Sequence, residues 1–204
     1  MADPDWADRF GPRCAAAVAA IDAANAEDPV AVVVDGVARP KEVVHAEAMT
    51  AWLERLDPEA GEAQHLAARA HHLRRWASPR SSFPEGRAGY LRWRAEQKRR
   101  HAREVGDILA GCGYDEATIE RVGQIIRKEG LGRDPQVQVH EDALCLVFLE
   151  LQAADVAPDL GADKTVAVLA KTAAKMSERG LAEAAALDLP DGVRALLDRA
   201  LAGG

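Results

Sequence analysis

The sequence has no apolar run approaching the roughly 20 residues that a membrane-spanning helix needs. Its start, "MADPDWADRF", carries neither the basic flank nor the apolar segment of a secretory leader. The expectation is a cytoplasmic protein with no membrane partner. Cysteine is scarce: Cys14, Cys112 and Cys145 form no CxxC pair and leave one over in any disulfide scheme, as expected of buried thiols in a reducing compartment. There is no internal repeat and no low-complexity linker, and "PVAVVVDG" is the only β-like run, closed by an Asp-Gly turn signal and read as a short extended connector.

What remains is helical periodicity in a chain of 204 residues, 48% hydrophobic and 29% charged. Those proportions suit a globular core rather than disorder. The expectation is an all-α, single-domain bundle of about eight helices spanning 1–204. The first helix is predicted at 12–26, with a proline near its N-terminus; the second lies in "RPKEVVHAEAMTAWLERLDP"; the third, in "PEAGEAQHLAARAHHLRRWASP", closes at Pro79. A Pro- and Gly-containing loop leads to a long fourth helix from Tyr90. The fifth takes Asp115 as N-cap and Gly130 as C-cap. The sixth, around 140–153, holds "ALCLVFL", apolar on every side, and is expected to be the buried centre of the bundle. The seventh runs through "DKTVAVLAKTAAKMSERG" before a final pair.

Charge is distributed unevenly. Between Arg69 and Arg103 eleven Lys and Arg face two Glu, a local +9 in a chain whose formal net charge is −7. An acidic protein with one basic segment is ill suited to coating extended nucleic acid, whose affinity comes from many phosphate contacts. It is better suited to one localised anion. In "AHHLRRW", helical spacing aligns His65, Arg69, His72 and Trp76 on one face and turns His71 away from it. On the next helix Arg94 and His101 are seven apart. Glu141 and Asp142 stand where the sixth helix enters its apolar stretch, and a buried carboxylate needs a cation, hydrogen bonds or a metal. Two histidines from separate helices plus such a carboxylate make a three-ligand set for a divalent ion: His72, His101 and Asp142. Lys164, Lys171 and Lys175 share one stripe of the seventh helix, with Thr172 and Ser177 beside it, and an aligned row of like charges suits an anion.

The run "HHLRRWASPRSSFPEGRAGYLRWRAEQKRRHA", followed by "GYDEATIERVGQIIRKEGL", "EDALCLVFLE" and "KTAAKMSERG", resembles the uncharacterised family catalogued as domain of unknown function 4202. The resemblance covers nearly the whole chain. It implies a single helical domain, and its motif matches His72, Arg75, Trp76, Pro79, Arg80, Arg94, His101, Lys128, Glu141, Asp142, Lys171, Thr172, Lys175 and Ser177. The order of histidine, histidine on the next long helix, and Asp opening a buried helix is also similar to the HD-domain metalloenzymes, mostly phosphohydrolases. In that superfamily an Asp follows the doublet's His, whereas Leu73 follows His72 here; His45, 27 residues before His72, is placed to mimic the superfamily's first histidine.

These readings converge on an HD-like, metal-dependent hydrolase for a small phosphorylated, nucleotide-like substrate. Its cofactor is a divalent ion, Mn, Fe or Mg, on His72, His101 and Asp142. His72, Glu141 and Lys128 are the expected catalytic residues, with Glu141 as general base. Arg75, Trp76, Arg80, Arg94, Lys171, Thr172 and Lys175 are expected to hold the anionic substrate. The alternative is a non-catalytic binding module for an anionic small molecule or nucleic-acid end, where arginine forks grip the anion and Trp76 or Trp93 stacks.

Overall fold

The computed structural model describes residue 7 and residues 9–202; most of the N-terminal stretch "MADPDWADRF", read from the sequence as carrying no leader, lies outside the described residues. Pro12 opens α1 (Pro12–Ala26), where its missing N–H costs the helix nothing. "PVAVVVDG" is more than a connector. It forms β1 (Ala31–Val34), paired antiparallel with β2 (Val37–Pro40), Ala31 opposite Pro40 and Val34 opposite Val37. Asp35 and Gly36 take φ of 53° and 78°, the double positive φ of a type I′ hairpin turn, which explains the Asp-Gly pair.

Helix α2 (Lys41–Leu56) follows directly, then α3 (Glu62–Arg69). The third predicted helix was to reach Pro79, but α3 stops at Arg69. Arg74 adopts left-handed φ and ψ of 48° and 40°, and two 3₁₀ turns, Arg75–Ala77 and Arg80–Ser82, carry the chain onward. Then come α4 (Gly86–Gly111) and α5 (Glu116–Arg127). Asp115 caps α5 by accepting from Thr118 N at 2.7 Å, as expected, whereas its C-cap is Lys128 in the left-handed region rather than Gly130.

The remaining helices are α6 (Pro135–Leu151), α7 (Ala153–Leu160), α8 (Ala162–Ala173), α9 (Glu178–Ala186) and α10 (Asp191–Ala202). From Pro12 onward that makes ten α-helices among the described residues, against about eight expected. The helix not read from the sequence is α7, which starts where α6 breaks at Gln152; the predicted seventh helix is α8, ending early at Ala173, because Ser177 leaves the helix to cap α9, the first of the final pair. The all-α class holds.

Two compact units result. The first contains the described residues up to Ala51 together with Glu59–Glu129. In it α3 packs on α1 and α5, α4 also packs on α1 and α5, and Ile21, Met49, Leu66, Leu109, Ile125 and Ile126 are fully buried. The second contains Trp52–Pro58 and the described residues from Gly130. There α6 packs on α9 and α8 on α10, around Leu146, Leu169 and Leu197. The buried helix expected at 140–153 is α6, with Ala143, Cys145, Leu146, Val147 and Leu149 all inside. Among the described residues no helix is long and apolar enough to cross a membrane.

Candidate metal centre

The first two turns of α2 supply two of three converging side chains. Asp28, at the end of the α1 loop, accepts from Val30 N through Oδ1 (2.9 Å) and from Glu42 N through Oδ2 (3.1 Å), fixing the start of the helix against the loop. Glu42 and His45 are then i and i+3 on one helical face. They are 4% and 3% exposed. The third side chain, His72, comes from the irregular segment after α3. Glu42, His45 and His72 each offer a ligand atom, and the three atoms lie within 4.8 Å of one another.

Why His72 points there follows from how that segment is held. Its backbone is bonded to side chains instead of to a helix of its own. Asn25 Oδ1 accepts from Arg74 N (3.2 Å), and the buried Arg100 donates to Arg74 O (2.8 Å). Gln97 donates to Arg75 O (3.3 Å) and Ser78 O (3.1 Å), and Trp93 Nε1 donates to Ser78 O (2.9 Å). A His101 ring nitrogen bonds the His71 carbonyl, and His101 Nε2 lies 3.5 Å from an Arg100 nitrogen. One face of α4 thus fastens the His71-His72 doublet. His71, expected to point away, is buried and joins the cluster: its ring centroid is 4.8 Å from that of His72 and 6.2 Å from that of His45.

Electrostatics sets the protonation of these groups. The His72 and His45 rings stack with centroids 3.8 Å apart. Burial, followed by the neighbouring His45, Arg75, His71 and His101, pushes the His72 imidazole well below its ordinary range, so it is neutral at pH 7. Burial also brings His101 down to about 3, the Arg100 and Arg75 guanidiniums adding to the effect. Glu42 is pushed up to about 7 by burial, against the pull of Arg75. Glu42 Oε2 lies 3.2 Å from His72 Nδ1, yet the approach is not aligned as a hydrogen bond and the oxygen is otherwise unpartnered. With His72 neutral, the contact is not an ion pair either. A spacing near 3.2 Å is what two ligands of one ion adopt at bond lengths of roughly 2.0–2.2 Å.

Other expected site residues of this unit serve different ends. Arg75 places Nη1 3.2 Å from His72 Nε2 and its guanidinium carbon 4.8 Å from the Trp93 ring centroid. Arg80 is spent on its own loop, donating to Phe83 O (2.9 Å), Pro84 O (2.8 Å) and Gly86 O (3.4 Å). Arg94 is exposed, 5.9 Å from the Tyr90 ring, and Trp76 is half-buried. His65 bonds Gly61 O and packs on Phe10, while the Arg69 guanidinium grips both oxygens of Asp22 at 2.6 Å. Lys128 occupies the left-handed C-cap of α5.

In the second unit Asp142 accepts from Ser177 N (2.9 Å), Ser177 Oγ (2.5 Å) and Gln138 Nε2 (3.0 Å). The buried Glu141 takes Lys175 Nζ at 2.9 Å, with Cys145 Sγ 3.9 Å from the same oxygen. Thr172 donates its hydroxyl to Val168 O, and Lys171 is exposed. Together these residues close the turn between α8 and α9. Gly180 belongs to the same packing: a Cβ there would meet the Asp142 carboxylate at 2.8 Å.

The family described as "Domain of unknown function (DUF4202)" matches residues 15–197. The chain belongs to it. No curated protein and no solved structure matches the chain. The DUF4202 match runs through both units, so the histidine-glutamate cluster of the first and the carboxylate-lysine network of the second both fall within it. Of the expected metal set, His72 is in the cluster and His101 holds the doublet's backbone. Asp142 has its oxygens engaged by Ser177 and Gln138. Glu42 was missed. Its signal was present as Glu-x-x-His, "EVVH", at the start of a helix, an i, i+3 pair of ligand types that bundle proteins use for metals.

Proposed function

We propose that the first unit holds one divalent metal ion on Glu42, His45 and His72 and that the protein hydrolyses a small phosphorylated substrate there. The observation that carries this is the convergence of two imidazoles and one carboxylate, almost wholly buried, within 4.8 Å. The donor set fits the group. The neutral His72 imidazole is in the ligating form, and a buried carboxylate with an unpartnered oxygen gains what it lacks from a cation. Two nitrogens and one oxygen suit Mn, Fe or Zn better than Mg, which prefers oxygen ligands throughout.

Such an ion supplies Lewis-acid polarisation of a phosphoryl oxygen and a water of lowered pKa. The chain's own groups do the rest. Arg75 stands against His72 with donors to offer phosphoryl oxygens, and His101 keeps the doublet aimed by holding the His71 carbonyl. The basic start of α4, where Arg87, Arg92 and Arg94 are exposed, draws an anion toward the same unit.

Phosphate release from a panel of phosphomonoesters and nucleotides, with and without Mn²⁺, tests this reading. The expected result is metal-dependent release that falls at least 100-fold in His45→Ala and His72→Ala. A second reading, a binding module without chemistry, draws on one observation: the cluster's single carboxylate is itself in the ligand set, and the neighbouring Asp28 has both oxygens engaged by the Val30 and Glu42 N–H groups, which leaves neither placed to act as a base. Substrate recovered unchanged after prolonged incubation with saturating Mn²⁺ would favour the module and sink the hydrolase.

A further inference from the structure

Arg75 and a metal ion make incompatible demands on His72. A guanidinium only donates, so Arg75 Nη1 at 3.2 Å from His72 Nε2 requires that nitrogen to be an acceptor. A ring that accepts at Nε2 carries its proton on Nδ1, the atom facing Glu42 Oε2 at 3.2 Å. An ion seated between Glu42 and His72 needs the Nδ1 lone pair, which moves the proton to Nε2 and sets two donors against each other. An ion on Nε2 instead would take the lone pair Arg75 uses. Either way, a metal on His72 costs Arg75 its hydrogen bond. Among the described residues that is the only hydrogen bond the guanidinium makes; beyond it lie the Trp93 face and the electrostatic pull of Glu42.

We propose that Arg75 couples the two ligands of this site: it competes with the metal for His72, and, once displaced, it offers its guanidinium to an oxyanion. The inference rests on the metal reading of Glu42, His45 and His72. By linkage, an anion that draws Arg75 off His72 tightens metal binding, and the metal tightens anion binding by the same factor. The cationic neighbours Arg94 and Arg100 add to the cost of a released, unpaired guanidinium, so an anion is the partner that relieves it.

The full-length chain is titrated with Mn²⁺ alone and with Mn²⁺ in the presence of inorganic phosphate, as wild type and as Arg75→Met, which keeps an apolar stem against Trp93 but removes every donor. Arg75→Met is expected to bind Mn²⁺ about five- to tenfold more tightly without phosphate, and phosphate is expected to tighten Mn²⁺ binding at least threefold more in wild type than in the variant. Equal affinities, or equal phosphate effects, would overturn the coupling. Imidazole ¹⁵N spectra of the wild-type protein provide a readout that charge removal alone does not move and that needs no variant. His72 should be the Nδ1–H tautomer with an accepting Nε2 before Zn²⁺ is added, and should lose that pattern on addition; an Nε2–H tautomer throughout overturns the inference. Absence of one Mn²⁺ per chain in both proteins is a different result, one that removes the metal reading itself and the inference with it.

Discussion

Asp142 shows what a buried carboxylate near an apolar helix can be for. Such a group needs partners, and it has three hydrogen-bond donors, from the backbone and hydroxyl of Ser177 and the amide of Gln138. Replacing it with Ala strands the Ser177 N–H and hydroxyl and should cost roughly 2–4 kcal/mol of stability. Chemical denaturation of Asp142→Ala measures this, and a loss below about 1 kcal/mol would mean the network is dispensable. Gly180→Ala offers a second handle on the same contact, since its Cβ would stand 2.8 Å from the carboxylate. It should cost about 1–3 kcal/mol through overpacking. Neither change is expected to alter the number of metal ions bound, whereas His45→Ala and His72→Ala should alter it without comparable loss of stability.

At the scale of elements, the decisive feature is a helix that stops early. Hydrophobic spacing placed α1, α2, α5 and α6 to within a few residues, because each has a proline, a cap or an apolar face that acts locally. Nothing local in "AHHLRRW" ends a helix: it contains no proline and no glycine. The ending comes from elsewhere, through Asn25, Gln97 and Arg100 taking over the backbone of 74 and 75. Helical geometry therefore put His65 with His72 and sent His71 outward, whereas the turn brings His71 and His72 in together. His72, Arg75 and His101 were legible because residue type and charge alone single them out; Glu42 was not, because its partners are 3 and 30 residues away. The left-handed Arg74 makes the ending testable. Arg74→Gly should raise stability by roughly 0.5–1 kcal/mol, since Gly meets no Cβ penalty at φ 48°. In a continuing helix the same change would lower it by about 1 kcal/mol. The exposed Arg74–Glu27 pair at 3.7 Å contributes too little to mask the sign.

Considered as a whole molecule, the protein is an acidic helical chain whose basic stretch, residues 69–103, lies entirely in the unit that carries the histidine cluster. The second unit concentrates its buried charge around Asp142, whose two oxygens accept from Ser177 and Gln138, and Glu141, whose Oε1 takes Lys175; in the first, Glu42 Oε2 makes no hydrogen bond and stands beside the neutral His72 imidazole. An ion bound to the folded chain only, at 100 times its dissociation constant, should stabilise it by about 2.7 kcal/mol. Thermal unfolding with and without Mn²⁺ should show that gain in wild type and in Asp142→Asn, and no gain in His72→Ala. The most direct test of the account is metal stoichiometry by equilibrium titration of the wild-type, Glu42→Gln, His45→Ala, His72→Ala and Asp142→Asn proteins. The account predicts one Mn²⁺ per chain in wild type and Asp142→Asn, and binding weakened at least 100-fold in the other three. Stoichiometric binding that survives the loss of His45 and His72, or no binding by the wild type, would contradict it.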